Sequence, residues 1–394
     1  MPTARIDEID KLRKKRSRKA FLKRLVIFLL IVVLIFSLFV GMRYASDYDI
    51  GGFITDFINS AGSGPGFPLD FAGNTALRLY PAKNAVALMT DTSFYLYKSD
   101  AKELLHTYFN YANPILVSSG NKFLIYDCFG YNYRMESMSN TLLDISSEEK
   151  IICADLAHTG HYAVLTESAR SLATVSVYDK NNVEIFSWSS TENYLTACSL
   201  SPDGKTLALS GLMTSGGMLR SVIISFNVSN GEENFRKYYD NTLIYDISVI
   251  SKSRISAVME NNAVVISSNG TAEQSFDYTG RSLIGYHRSE DDSLVLIFPE
   301  DNSNNENIVT LIDNDCFEIF TLRNISEITD LYIASQGIYL LNNNIISFYN
   351  NDGLLTKTAS YTSDILYFTI MNTAAYAVTD SSIISLEFEP VPQS

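Results

Sequence analysis

The feature of this sequence that most narrows its fold is a repeat. From about residue 67 onward, runs of five to seven residues rich in Val, Ile, Leu, Tyr and Thr alternate with clusters of Asn, Asp, Gly and Ser. Short apolar runs at intervals of roughly 8–12 residues are the mark of antiparallel strands joined by tight turns. A longer period lies over this one. A strand ending in a small polar pair recurs as Leu88-Met89-Thr90-Asp91, Val164-Leu165-Thr166-Glu167 and Ala377-Val378-Thr379-Asp380. A strand running into a polar turn recurs at Tyr97 to Asp100, Tyr178 to Asn181, Phe226 to Gly231, Ile266 to Gly270 and Tyr349 to Gly353. The apolar landmarks Tyr97, Tyr178, Phe226, Ile266 and Tyr349 lie 81, 48, 40 and 83 residues apart, one or two copies of a period near 41. A period of roughly 40–45 residues with four strands in each unit describes an all-β propeller.

One unit carries a sharper signal. Ser201-Pro202-Asp203-Gly204-Lys205, followed by Thr206-Leu207-Ala208-Leu209, resembles the turn between the innermost and second strands of WD40-like and TolB-like blades. Proline presets the turn, Asp caps it through its side chain, and Gly takes the positive φ. Inner strands are expected to start near Ala76, Pro114, Ile151, Leu195, Leu243, Ser282, Ile328 and Ile365, at spacings of 38, 37, 44, 48, 39, 46 and 37 residues. This parse gives eight blades, with seven as the alternative. The last unit holds only three strands, near 365–370, 374–379 and 382–388. Phe67 to Phe71 is the expected fourth: Phe67, Leu69 and Phe71 alternate with Pro68 and Asp70, the period of two that a half-buried strand needs. Pro68 cannot donate to a ladder, so the strand must be outermost. Pairing there would seal the ring and leave no bare edge.

Upstream, Leu25 to Met42 form eighteen residues without a charge, apolar on every side. At ~1.5 Å per residue such a helix nearly spans the ~30 Å hydrocarbon core of a bilayer. A cleaved signal peptide would have a shorter apolar run and a small-residue cleavage site. Residues 1–24 carry ten basic residues against three acids, while residues 43–394 carry twenty against forty-one. The positive-inside rule therefore predicts a single-pass cell-membrane protein, with a basic cytoplasmic N-terminus (1–24), a transmembrane helix (25–42) and an extracellular remainder. Residues 43–66 end in Gly62-Ser63-Gly64-Pro65-Gly66, the composition of a flexible linker. The propeller is expected over residues 67–390. The overall charge of −14 argues against nucleic acid as a partner.

The search for chemistry returns no catalytic, cofactor or metal residues. His158 and His161 form an H-x-x-H on a short turn, with no Cys or third ligand nearby, a poor zinc site. His287 falls on an inner strand and reads as a packed histidine. Cys128, Cys153, Cys198 and Cys316 read as buried free thiols packing as small hydrophobes. Cys153 and Cys198 lie on neighbouring inner strands, but aligning Leu156 with Leu200 leaves them one residue out of phase, so they are expected to face apart. The acidic stretch Glu290-Asp291-Asp292 and the loop from Pro299 to Asn307 lack the glycine and closing glutamate of a calcium loop. Sequons at Asn227, Asn269 and Asn324 matter only in a glycosylating pathway. Trp188 is the only tryptophan, so the recurring docking tryptophans of quinoprotein dehydrogenases are missing, as are the repeated aspartate boxes of sialidases. The outer-membrane assembly propeller is a lipoprotein, and no lipobox cysteine follows the apolar segment.

A basic N-terminus, one anchor, a Gly-rich linker and Gly66-Phe67-Pro68-Leu69 ahead of the repeats together resemble an uncharacterised family of single-pass membrane proteins of Gram-positive clostridia. That resemblance covers residues 10–390 and implies architecture only. A non-catalytic binding or scaffolding module, monomeric outside the membrane and engaging an envelope protein, peptide or glycan, is the expectation. The alternative is an envelope hydrolase or redox enzyme with its site at the channel mouth, which convergent acids and a histidine there would favour.

Overall fold

The computed structural model describes residues 62–392, apart from 72, 73, 83, 252, 272 and 301–305, together with Leu29 and Val32. The basic segment 1–24, nearly all of the apolar segment 25–42 and most of the linker 43–66 lie outside the described residues. Among those residues no helix is long and apolar enough to cross a bilayer.

Eight antiparallel sheets follow one another along the chain, seven of four strands and one of five. Each is a blade whose first three strands pair in sequence order from the channel outward, and in all but the last blade the fourth follows them too. Inner strands begin at Ala76, Pro114, Ile151, Tyr194, Ile244, Gly285, Asp330 and Tyr367, so the eight-blade parse stands and the seven-blade alternative falls. Apolar clusters fill all eight seams between neighbouring blades. This packing explains why the middle strands read as continuous apolar runs. Ala85–Thr90 is buried at every position and Ser93–Lys98 at all but the last, because a blade covers both of their faces. The outer strands Thr141–Ser146 and Glu273–Asp277 have no such cover and are mostly exposed.

The small polar residues of the repeat act as turn staples. Thr90 Oγ1 donates to Ser93 O at 3.1 Å and accepts from Ser93 N at 2.9 Å. Thr379 makes the same pair with Ser382, at 3.2 and 3.1 Å. In the outer turns, Asp179 Oδ1 accepts from the amides of Asn181 and Val183, and Asn350 Oδ1 accepts from those of Asp352 and Leu354. These are Asx turns, the reason such positions take Asp or Asn.

The ring closes through the chain ends. Leu69–Asp70 pairs with Ser382–Leu386 as the outermost strand of blade 8, Leu69 opposite Ile383. The expected closing strand is therefore present, shortened to two residues. Around it, Phe67 packs edge-on against Tyr376 at 5.2 Å, and Phe71 is buried in the cluster joining blades 8 and 1. The sequence had given no sign of a second clasp. Glu389–Pro390 leaves blade 8 and pairs with Leu355–Ser360 as a fifth strand of blade 7. Phe388 packs at a tilt against Tyr339 there, ring centroids 5.3 Å apart, and Lys357 Nζ lies 4.7–5.2 Å from the rings of Phe388, Phe348 and Tyr339.

Candidate functional site

The inner strands all run the same way, so the turns between first and second strands gather at one end of the central channel. They ring a cavity of about 610 Å³ with residues from all eight blades, from Asn84 and Ser119 through His158, Pro202 and Arg288 to Asn372. The Ser201–Thr206 turn is one of these. Ser201 N donates to Thr206 O at 2.8 Å and Gly204 N to Ser201 O at 2.7 Å, with Gly204 at a φ of +71°. A Cβ on Gly204 would lie 2.7 Å from the His161 ring, so the position needs glycine on two counts. The turn Ala157–His161 repeats this pattern, and Thr159 N donates to Pro202 O across the seam at 3.3 Å.

Charge at the mouth is held by internal partners. Asp155 Oδ2 accepts from Leu200 N of the next blade at 2.6 Å. Burial raises its carboxyl above the ordinary value, against the backbone amides that pull it down. Arg288 donates through Nε to Asp246 Oδ2 at 2.7 Å, with Nη2 in ion-pair contact with the same oxygen at 2.6 Å, and donates through Nη1 to Asp292 Oδ1 at 3.2 Å and Ser256 Oγ at 3.0 Å. Asp292 also accepts from Ser248 Oγ at 2.7 Å. Deeper in the channel, Asp330 bridges to Arg78 at 3.6 Å and accepts from Phe368 N at 3.0 Å. Ser199 Oγ likewise accepts from Val249 N at 3.1 Å. A polar group on one inner strand thus latches onto the next strand's backbone at three places in the ring.

The expected histidine pair separates. His158 Nδ1 meets Ser119 Oγ at 2.8 Å, whereas His161 Nδ1 meets Thr159 Oγ1 at 2.8 Å. His287 is half-buried, and burial, then the nearby Arg78, lowers its imidazole to about 4. Asp292 and Glu290 line the cavity, and among the described residues no three His, Cys, Asp or Glu side chains group to hold a metal ion. Residues 301–305 of the acidic loop lie outside the described residues. Trp188, half-buried on the outer strand of blade 3, packs on Phe226 at 5.0 Å against the apolar cluster between blades 3 and 4. Acids and a histidine therefore share the mouth, but Asp155, His158 and Asp292 each bond to a different partner.

The reading of Cys153 and Cys198 needs correction. Their sulfurs lie 3.2 Å apart. The two residues do point to opposite faces of equivalent strands, but the front of one blade packs on the back of the next, so opposite phase brings them together. All four cysteines are free thiols. Sequence reasoning also missed Asp155, Asp246, Asp330, Arg78 and Arg288. The available signal was a charged residue inside a short inner strand, in segments such as IICADL and IYDISVIS.

Solved structures share this architecture at low identity. The crystal structure of BamB from Moraxella catarrhalis aligns with a TM-score of 0.52 and 10% identity over 82% of this chain and 100% of that one. The C-terminal WD40 domain of Sif2 aligns with a TM-score of 0.55 and 10% identity over 84% of this chain and 100% of its own. Both likenesses speak to the fold alone. No curated protein matches the chain. A family model does match, over residues 72–387, nearly the whole ring, and so the chain belongs to DUF5711, a family of unknown function.

Proposed function

We propose that the protein is a single-pass membrane protein whose propeller stands outside the cell and binds an envelope partner at the polar channel mouth without transforming it. A Gram-positive, clostridial origin would place that mouth between membrane and wall. The observation that carries this reading is the pairing of charge around the cavity: Asp155 is taken up by Leu200 N, and Arg288 by Asp246 and Asp292. Groups committed in this way make a rigid, preorganised rim, which lowers the ordering cost of binding. The uncharged polar side chains facing the cavity include Asn84, Ser118, Ser119, Ser289 and Asn372, beside His158 and Glu290, hydrogen-bonding chemistry suited to a peptide segment or a glycan. Each blade ends in an outer strand of at most eight residues, and such short edges are consistent with a monomer.

A second reading, an envelope hydrolase or redox enzyme, has one observation in its favour: Asp155, His158, Glu290 and Asp292 line the same cavity. Proximity labelling on wall-stripped cells separates the two. The wild type should label a partner that the mouth-blocked variant Ser119→Trp with Asn372→Trp does not. Equal labelling by both would remove the mouth from the proposal. Turnover of envelope material that depends on Asp155 or His158 would favour the enzyme. In the same cells, added protease should digest residues 43–394 and spare an N-terminal tag, and a protected propeller would overturn the orientation.

A further inference from the structure

Of the four thiols, two touch. Cys153 sits on the inner strand Ile151–Leu156 of blade 3 and Cys198 on the inner strand Tyr194–Leu200 of blade 4, with their sulfurs 3.2 Å apart across the seam. The other two are occupied elsewhere. Cys128 Sγ donates to Ile152 O at 3.4 Å, and Cys316 Sγ lies 3.6 Å from Ala263 O in the seam between blades 5 and 6. A disulfide needs its sulfurs at about 2.05 Å, so closing this pair asks for a shift of only about 1 Å. The local backbone suits such a shift. Each strand carries a register irregularity beside the pair, between Ile151 and Cys153 and between Leu195 and Ala197, and a bulge leaves one residue out of the ladder.

We propose that Cys153 and Cys198 are a modification site, oxidised to a disulfide that stitches blade 3 to blade 4. The oxidant is an external disulfide, that of a dithiol oxidoreductase or a small disulfide such as oxidised glutathione. Cys153 is half-buried and Cys198 is 8% exposed, which sets the order of events. Cys153, losing its proton, attacks one donor sulfur. The donor S–S bond breaks, a mixed disulfide forms, and the first donor thiol leaves with that proton. Cys198 Sγ then attacks Cys153 Sγ, the protein S–S bond forms, and the second donor sulfur leaves with the Cys198 proton. Two protein thiols are oxidised and one donor disulfide is reduced to two thiols. Contact with Cys153, then burial, holds the Cys198 thiol well above its ordinary value, in keeping with its acting second, as the resolving thiol, and not as the first nucleophile.

The bond would sit one turn of the strand from Asp155 and Leu200, whose hydrogen bond spans the same seam at 2.6 Å. Oxidation would therefore fix two of the blades that frame the channel mouth.

The test uses the full-length chain in mild detergent, treated with oxidised glutathione. Thiols titrated after unfolding should fall from four to two. A tryptic map should show the peptides containing Cys153 and Cys198 joined, and the melting temperature should rise by several degrees, with dithiothreitol reversing both changes. Cys128→Ser should keep the cross-link, while Cys153→Ser and Cys198→Ser should each lose it. Four thiols surviving treatment, a bond to Cys128 or Cys316, or a glutathione adduct left unresolved on Cys153 would each overturn the proposal.

Discussion

Two seams of the ring are sealed by different physics. Between blades 3 and 4 the chain is continuous, and polar contacts reinforce the apolar packing: Asp155 to Leu200 N, Thr159 N to Pro202 O, and the Cys153–Cys198 contact. Between blades 8 and 1 the ring is held from its rim, by the short strand Leu69–Asp70 and the aromatic cluster of Phe67, Phe71, Tyr95, Tyr97 and Tyr376. A seam that forms early and locally can rely on directional bonds set by adjacent strands. The closing seam joins residues some 300 positions apart and relies mainly on non-directional apolar burial to offset the loss of chain entropy, beside a few rim hydrogen bonds to Ser99 and Asp100.

If that contrast is right, the closing seam should be the more fragile. The largest effect is expected on comparing chains that begin at Gly66 and at Gly73, because the second lacks Phe67, Leu69 and Phe71 together. Its melting temperature should fall by more than any single substitution achieves, and equal melting temperatures would show that the clasp contributes nothing. Next comes Phe71→Ala, which empties a site only 5% exposed and should cost about 3–5 kcal/mol in chemical denaturation. At the other seam, Asp155→Ala strands the Leu200 amide and should cost about 1–3 kcal/mol, whereas Asp155→Asn keeps an acceptor and should cost less. If Asp155→Ala exceeds Phe71→Ala, the ranking of the seams is reversed.

The remaining effects concern pH. Burial raises the Asp155 carboxyl above its unfolded value, so the folded chain binds the proton more tightly. The resulting stability is full below the unfolded value and is lost as pH rises through the raised one. Asp155→Asn should flatten that part of the stability profile, and an unchanged slope would remove Asp155 from it. His287 works in the opposite sense. With its imidazole lowered to about 4, stability should be lost as pH falls from about 6.5 toward 4, by about 2–3 kcal/mol at most, and His287→Gln should remove most of that loss.

The repeat made the ring legible because period and turn chemistry are local. Three of the eight inner strands begin at the expected residue, Ala76, Pro114 and Ile151, and the other five lie within three residues of it. The closing strand was legible because alternation and Pro68 constrain it locally too. The path of Glu389–Pro390 into blade 7 was hidden, because nothing in two residues specifies which edge they join. The site was hidden for a related reason. Asp155, Asp246 and Asp330 take their meaning from Leu200, Arg288 and Phe368 on the following blade, about forty residues away, where no spacing rule applies. Cys153 and Cys198 show the same gap, since their phases were read correctly and the stacking of blades gave those phases the reverse consequence.

The entry of the chain into the ring has a mechanical consequence. Ahead of the closing strand, Gly64 N donates to Asp100 Oδ2 at 2.9 Å and Gly66 N to Asp100 O at 2.9 Å. Asp100 belongs to an outer turn of blade 1, not to blade 8, which the closing strand completes. A pull on the chain upstream of Gly62 therefore meets the Asp100 turn first, then the Phe67–Tyr376 contact, and only afterwards the two ladder residues Leu69 and Asp70. The load reaches the ring in stages spread over two blades, so these contacts act as a strain relief that must give way before the closing strand can be peeled from its edge.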